Sequence, residues 1–265
     1  MDVFISITYG LKFSVCGDYR GAPLSLTLDF NRKLNMEFDL YSNVQGVAKK
    51  VHEELKSYIN ASSTEYSIAK KAEQLLSKFG VYETWYHSVP AFVLLGSRSC
   101  LSISGKDYTP SNEKVGDVNL VTVDLSPMKE NILGDCARSY TVENGIVVDI
   151  PKSKEFLEGL SVEKKLHQDM MSFVKPSTKF SELFEFGNSL IKEYGYENLD
   201  FLLNLGHSIE KKLSDRLFID SECHAELGSV KFFTFEPHIQ KFGCKWGFKN
   251  ENIYYFNEKK SICVL

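Results

Sequence analysis

Two rhythms of apolar and polar residues run along this chain, and the switch between them marks its elements. Near the N-terminus VFISITY (residues 3–9) and LSLTL (24–28) alternate with period two, punctuated by Gly17, Gly21 and Pro23. That pattern predicts short strands and turns across residues 1–39. From about Ser42, Val47, Val51, Leu55 and Tyr58 recur at helical spacing and predict a first helix. Ser62-Ser63-Thr64-Glu65 then reads as a helix start, because hydroxyls accept from free N–H groups and an acid suits the first turn. This second helix is predicted to run to Phe79, with Gly80 as its left-handed stop.

The same pattern returns. HEELKSYINASSTEYSIAKKAEQLLSKFG (52–80) aligns without a gap to HQDMMSFVKPSTKFSELFEFGNSLIKEYG (167–195). His52/His167, Ser57/Ser172, Ser62/Ser177, Leu75/Leu190 and Gly80/Gly195 are identical, and the apolar positions mostly match. The repeat predicts a helix, a capped break, a helix and a glycine stop, twice. Each helical unit is followed by strand-like runs: AFVLL (91–95) and VNLVTVD (118–124), then VKFFTFE (230–236) and NIYYF (252–256). The fold class predicted is α+β, two pseudo-symmetric halves with helices covering one face of a sheet.

Charge and cysteine content narrow the function classes. With 31 Lys+Arg against 35 Asp+Glu the net charge is −4, which leaves no basic footprint for nucleic acid. No run of about 18 apolar residues predicts a membrane span, and the start MDV lacks the n- and h-regions of a signal peptide. Six cysteines with no CxxC pair argue against a disulfide framework and a thiolate zinc site. A cytoplasmic protein with reduced thiols is expected.

The candidate chemistry lies where charge enters apolar runs. Asp124 ends VNLVTVD, a costly place for a carboxylate unless it is paired or bound to metal. Asp135, in LGDCARS, follows across a turn predicted at Ser126-Pro127 and Asn131, so a hairpin would bring the two carboxylates together. His207 in LGHSIE, Glu236 in FTFEPHI and Glu251 in NENIYYF are placed alike. One imidazole and four carboxylates suit two hard or borderline divalent ions sharing bridging carboxylates.

The order of VTVDLSP, GDCARS, LGHSIE, FTFEPHI and NENIYYF resembles the methionine aminopeptidase/prolidase/creatinase superfamily, closest to Xaa-Pro aminopeptidase and prolidase catalytic domains. The resemblance covers roughly residues 41–256. It implies the pita-bread fold, a curved antiparallel sheet under helices, for a catalytic domain at 41–265, which the strand-like pattern of residues 1–40 precedes as a short β-rich extension. It implies that Asp124, Asp135, His207, Glu236 and Glu251 hold two ions of manganese, cobalt, iron or zinc. Asp135 and Glu251 would bridge them, and Glu236 would double as proton shuttle. A homodimer and a peptide or small amide substrate are also implied, without nucleic acid or membrane.

Two departures from that pattern bear on substrate binding. The family's His-x-x-Pro histidine falls at Asp107, in DYTP, and a second histidine seven residues after the metal-binding one falls at Ser214. An ionised carboxylate cannot donate a hydrogen bond as those histidines do. His87 in WYHSVP is similar to a pocket segment of methionine aminopeptidases and is a candidate for the active site. His238, directly after Glu236-Pro237, and Asp107 with its neighbour Tyr108 are candidate substrate contacts, with His224, Arg98 and Lys106 as further candidates. Trp85, Tyr86, Tyr108 and Trp246 would suit the walls of an apolar or prolyl pocket, or equally packing between the halves. Three readings stay open: a peptidase, a non-peptidase that keeps the metals, and a pseudoenzyme or binding protein.

Overall fold

Val47, Val51 and Leu55 fall on one face of α1 (Leu24–Tyr58) and are buried, as their spacing predicts. The computed structural model describes residues 24–265, with side chains from residue 36 onward. The strands expected at 1–23 lie outside the described residues. The strand expected at 24–28 is a correction: LSLTL forms the first turns of α1. Five alternating residues do not distinguish the two periods, and neither glycine nor proline interrupts the chain between Leu24 and Gln45. The helix also runs unbroken through residues 40 and 41, where the sequence reading divides extension from domain.

The repeated unit is realised twice. Thr64 caps α2 (Glu65–Lys78) in a reciprocal capping box with Ser67, and Gly80 follows at φ +79°. In the second copy α3 (Lys154–Phe173) is followed by α4 (Phe180–Glu193), with Gly195 also at φ +79°. Both glycines adopt the left-handed geometry that closes a helix.

The first half is a four-stranded antiparallel sheet, ordered β2 (Ala91–Leu95), β3 (Val118–Leu125), β6 (Cys136–Glu143), β7 (Ile146–Val148). Between β3 and β6 the chain makes a small hairpin of β4 (Pro127–Lys129) and β5 (Ile132–Leu133), on which β1 (Glu83–Thr84) pairs. Its turn residues Glu130 and Asn131 both have positive φ, +54° and +61°, as a two-residue hairpin demands.

The second half has two three-stranded sheets. One is β8 (Tyr196–Asn198), β10 (His238–Lys241) and β11 (Gly247–Lys249). The other is β9 (Phe233–Phe235), β12 (Asn252–Phe256) and β13 (Ile262–Val264).

Each half has its own core of helix and strand side chains, the first including Val51, Leu75 and Val123, the second Phe156, Leu183 and Phe235. The halves meet along β6 and residues 247–252. Glu251 N donates to Ala137 O at 3.0 Å, and Arg138 reaches Glu251 O at 2.5 Å and Asn252 Oδ1 at 2.7 Å. The mixed helical and antiparallel architecture is the α+β class expected. No helix among the described residues is long and apolar enough to cross a membrane.

Candidate metal centre and substrate cleft

Register brings the two aspartates to one spot. Asp124 pairs with Ala137 across β3 and β6. Side chains alternate faces, so Asp135, two residues before Ala137, lies diagonally on Asp124's face. Gln45 of α1 fixes the Asp135 backbone: its Oε1 accepts from Asp135 N at 2.9 Å and its Nε2 donates to Asp135 O at 2.6 Å. Glu251 enters from the other half just before β12. One carboxylate oxygen from each of Asp124, Asp135 and Glu251 lies within 4.8 Å of the others.

His207 follows Gly206 in a loop stitched to Thr234. The backbone N of His207 donates to Thr234 Oγ1 at 2.9 Å and its O accepts from Thr234 N at 2.7 Å. Ring Nδ1 contacts Ser208 O at 2.9 Å. A carbonyl only accepts, so Nδ1 carries a proton and Nε2 faces the carboxylates, 3.4 Å from Asp135 Oδ2 and 3.8 Å from Glu236 Oε1. Gly206 sits at φ +138°, and a Cβ there would lie 2.4 Å from Thr234 O. Gly206→Ala is therefore expected to cost about 2–4 kcal/mol in urea unfolding, from backbone strain and displacement of the His207 loop. An unchanged urea midpoint would refute that reading.

The electrostatics are those of a crowded anionic site. Burial, then the Asp124 and Glu236 charges, push Asp135 up to about 7 against the pull of His207. Burial and the neighbouring Asp135, Glu236 and Asp124 push Glu251 well above the carboxylate range. Burial works to lower His207, but Asp135 and Glu236 more than offset it and the net shift is upward. Burial likewise works to raise Glu236, yet Lys249 and His207 hold it below its ordinary value.

Lys249 was not picked out by the sequence reading. Its ammonium lies 2.6 Å from Asp124 Oδ2 and 2.9 Å from Glu236 Oε2, tying the first-half carboxylate to the second-half one. Burial opposes its charge, but Asp124, Glu236 and Glu251 raise its pKa well above the lysine range. The available signal was the one used for Asp124: a charge ending an apolar run, here WGFK, two residues before Glu251.

Asp124, Asp135, His207, Glu236 and Lys249 floor a cleft of about 480 Å³ walled by Trp85, Tyr86, Phe92, Phe218 and His87. His87 is exposed at φ +47°, its ring against Tyr86. His238 also lines the cleft; its Nε2 donates to Ser99 O at 2.6 Å, and burial lowers its pKa to about 4. Neutral His238 thus presents Nδ1 as an acceptor. Arg216 lies over the Trp85 and Phe218 rings, 5.3 Å from each centroid.

The expected substrate contacts Asp107 and Tyr108 lie elsewhere, as do several lesser candidates. Asp107 is exposed and outside the cleft wall. Tyr108 stacks behind Phe92 at 4.1 Å, its hydroxyl taken by Val93 N and O. Ser214 is exposed and bonds Asp215, His224 contacts Ser181, Arg98 pairs with Glu65, and Trp246 packs on Phe156 in the core.

The donor set fits divalent metal. Both Glu251 oxygens are buried with no hydrogen-bond partner, a costly state for a carboxylate unless a cation completes it. Hard oxygen donors plus one imidazole are the ligands such ions take.

No curated protein matches the sequence. Among solved structures, the chain is similar to the X-Pro aminopeptidase from Thermotoga maritima MSB8, with TM-score 0.72, 21% identity, and 87% of this chain on 60% of that one. The prolidase from Pyrococcus furiosus gives TM-score 0.71 and 21% identity, over 86% of this chain and 63% of that one. The methionine aminopeptidase from Rickettsia prowazekii gives 0.66 and 12%, over 87% and 96%. The chain therefore spans about three fifths of the first two structures. At these identities the likeness shows the fold, the pita-bread architecture expected. The family profile goes further, matching residues 39–258, a span that holds all five acid and histidine positions. This chain belongs to metallopeptidase family M24.

Proposed function

We propose that this chain is a dinuclear-metal-dependent hydrolase of amide bonds, an aminopeptidase or dipeptidase acting on Xaa-Pro peptides. The observation that carries the reading is Glu251, whose two buried oxygens lack partners beside Asp124 and Asp135. Asp124, Asp135 and Glu251 would hold one ion, and Asp135, His207, Glu236 and Glu251 the other. Bound divalent ions supply Lewis acidity toward the amide carbonyl and a water that ionises near neutral pH.

The chain's own residues do the rest. Glu236 Oε2 faces the Lys249 ammonium and Oε1 accepts from Thr234, which keeps the carboxylate ionised and able to take a proton from the attacking water. His238 Nδ1 accepts an N–H from the substrate backbone. His87 stands at the mouth, where its ring can donate. Trp85, Tyr86 and Phe92 exclude water around an apolar or prolyl side chain.

The test is metal analysis of purified protein, reconstitution with Mn²⁺, Co²⁺, Fe²⁺ or Zn²⁺, and a peptide panel varied at the second residue. Two ions per chain with cleavage before proline supports the proposal; no bound metal would overturn it. A second reading, a metal-dependent enzyme acting on a small amide, draws on Asp107 and Ser214 lying outside the cleft. Two ions without peptide cleavage favours it.

Within the peptidase reading, Glu236→Gln should lower kcat by about 10²–10⁴-fold with little change in KM, because Gln cannot accept the proton. Equal losses in turnover and binding, read from steady-state kinetics, would reduce Glu236 to a structural part.

A further inference from the structure

The repeat that first organised the sequence places a histidine in each half, and neither is used by the chemistry above. His52 lies on α1 and His167 on α3, and both are buried, 2% and 6% exposed. His52 Nε2 lies 2.9 Å from Cys136 O, the carbonyl directly after Asp135. His167 Nε2 lies 3.0 Å from Asn250 O, the carbonyl directly before Glu251. On the opposite side of each ring, Nδ1 lies 2.6 Å from a tyrosine hydroxyl, Tyr140 for His52 and Tyr254 for His167. The tyrosine in each case stands four residues beyond the carbonyl.

We propose that His52 and His167 are a matched pair of positioning residues: each staples the strand start beside one buried carboxylate, Asp135 or Glu251, and so sets the spacing of the metal centre from outside the cleft. This rests on the reading that those two carboxylates hold metal.

The proton inventory defines each staple. A carbonyl only accepts, so Nε2–H donates to it. In a neutral ring Nδ1 then accepts, and the tyrosine O–H donates, shared in the first copy with His52 O at 3.1 Å. Burial keeps both rings neutral, lowering His52 to about 3 and His167 to about 4. Each imidazole therefore joins a helix to a strand at two points, with both ring nitrogens satisfied.

A neighbouring side chain grips the first of these segments. Gln45, also on α1, binds both backbone groups of Asp135. A histidine that only fills core needs two partners of any kind. Here both copies select a carbonyl adjacent to a carboxylate, on strands from different halves. Outer groups that orient ligands in this way are worth about 10–100-fold in metal affinity.

The test uses full-length protein and Mn²⁺ titrated by calorimetry, wild type first. His52→Leu and His167→Leu are each expected to weaken Mn²⁺ binding by about 10–100-fold. His167→Gln, whose amide can still donate to Asn250 O, should recover part of the loss. Phe180→Leu, a core change in the same half that removes no hydrogen bond of the staple, should leave Mn²⁺ affinity at the wild-type value. Folded Leu variants with wild-type affinity, or an equal loss in Phe180→Leu, would overturn the proposal. Should a Leu variant fail to fold, Tyr140→Phe and Tyr254→Phe keep the ring packing and remove only the hydroxyl. They are expected to speed hydrogen exchange at the Cys136 and Glu251 amides, and unchanged exchange would overturn the staple without reference to metal. Absence of Mn²⁺ binding by the wild type would instead sink the metal reading itself.

Discussion

Asp135→Asn is expected to remove bound divalent metal and amide hydrolysis together while the protein stays folded. Asn keeps the shape of the side chain but loses the charge shared between the two proposed ion positions. Lewis acidity and water activation are worth several kcal/mol, so turnover should fall about a thousandfold or more. The fold should survive because the Asp135 backbone is held by Gln45, through hydrogen bonds that do not involve the carboxylate. The variant should melt at or above metal-free wild type, since Asp135 is buried near Asp124, Glu236 and Glu251, and the substitution relieves their mutual repulsion. Metal content by elemental analysis and melting by calorimetry read both effects. Unchanged metal stoichiometry would refute the assignment of Asp135.

Lys249→Met should act in the opposite direction on the metal-free chain. The ammonium touches Asp124 and Glu236 and offsets the charge on Glu251. Removing one partner from a buried ionic cluster leaves charge uncompensated, at a cost of about 3–5 kcal/mol. Met fills a similar volume, so the loss is electrostatic, not a cavity. Divalent metal restores counter-charge, and its binding stabilises the folded state by mass action. The variant should therefore melt well below wild type without metal and gain far more than wild type when Mn²⁺ is added. Equal melting temperatures without metal would show that Lys249 is not the counter-ion of the centre.

Much of the candidate site was legible because its residues break local rules. A carboxylate ending VNLVTVD, or one opening NIYYF, is conspicuous against its apolar run. Asp124, Asp135, His207, Glu236 and Glu251 were named on that basis, and all five converge in the structure. Lys249 broke the same rule and was overlooked, as nothing local says which carboxylates a cation will meet. Asp107 and Tyr108 show the converse. Their place in DYTP is a matter of order along the chain, whereas lining a cleft depends on how the loop packs, and Tyr108 is turned behind Phe92. The helix over residues 24–28 shows the limit of a five-residue pattern.

The sequence by itself determined the elements that short-range physics controls: the caps at Thr64, the glycine stops at Gly80 and Gly195, the doubled helical unit, and strands such as Asn252–Phe256. Each depends on contacts a few residues apart or on one residue's allowed φ. Only the tertiary structure decided which charges neutralise one another, which histidines face the cleft and which brace it from behind, and that Arg138 and Lys249 join the halves. Those outcomes depend on distances between residues about a hundred positions apart. Such distances are set by how the sheets and helices pack, and no local pattern along the chain encodes them.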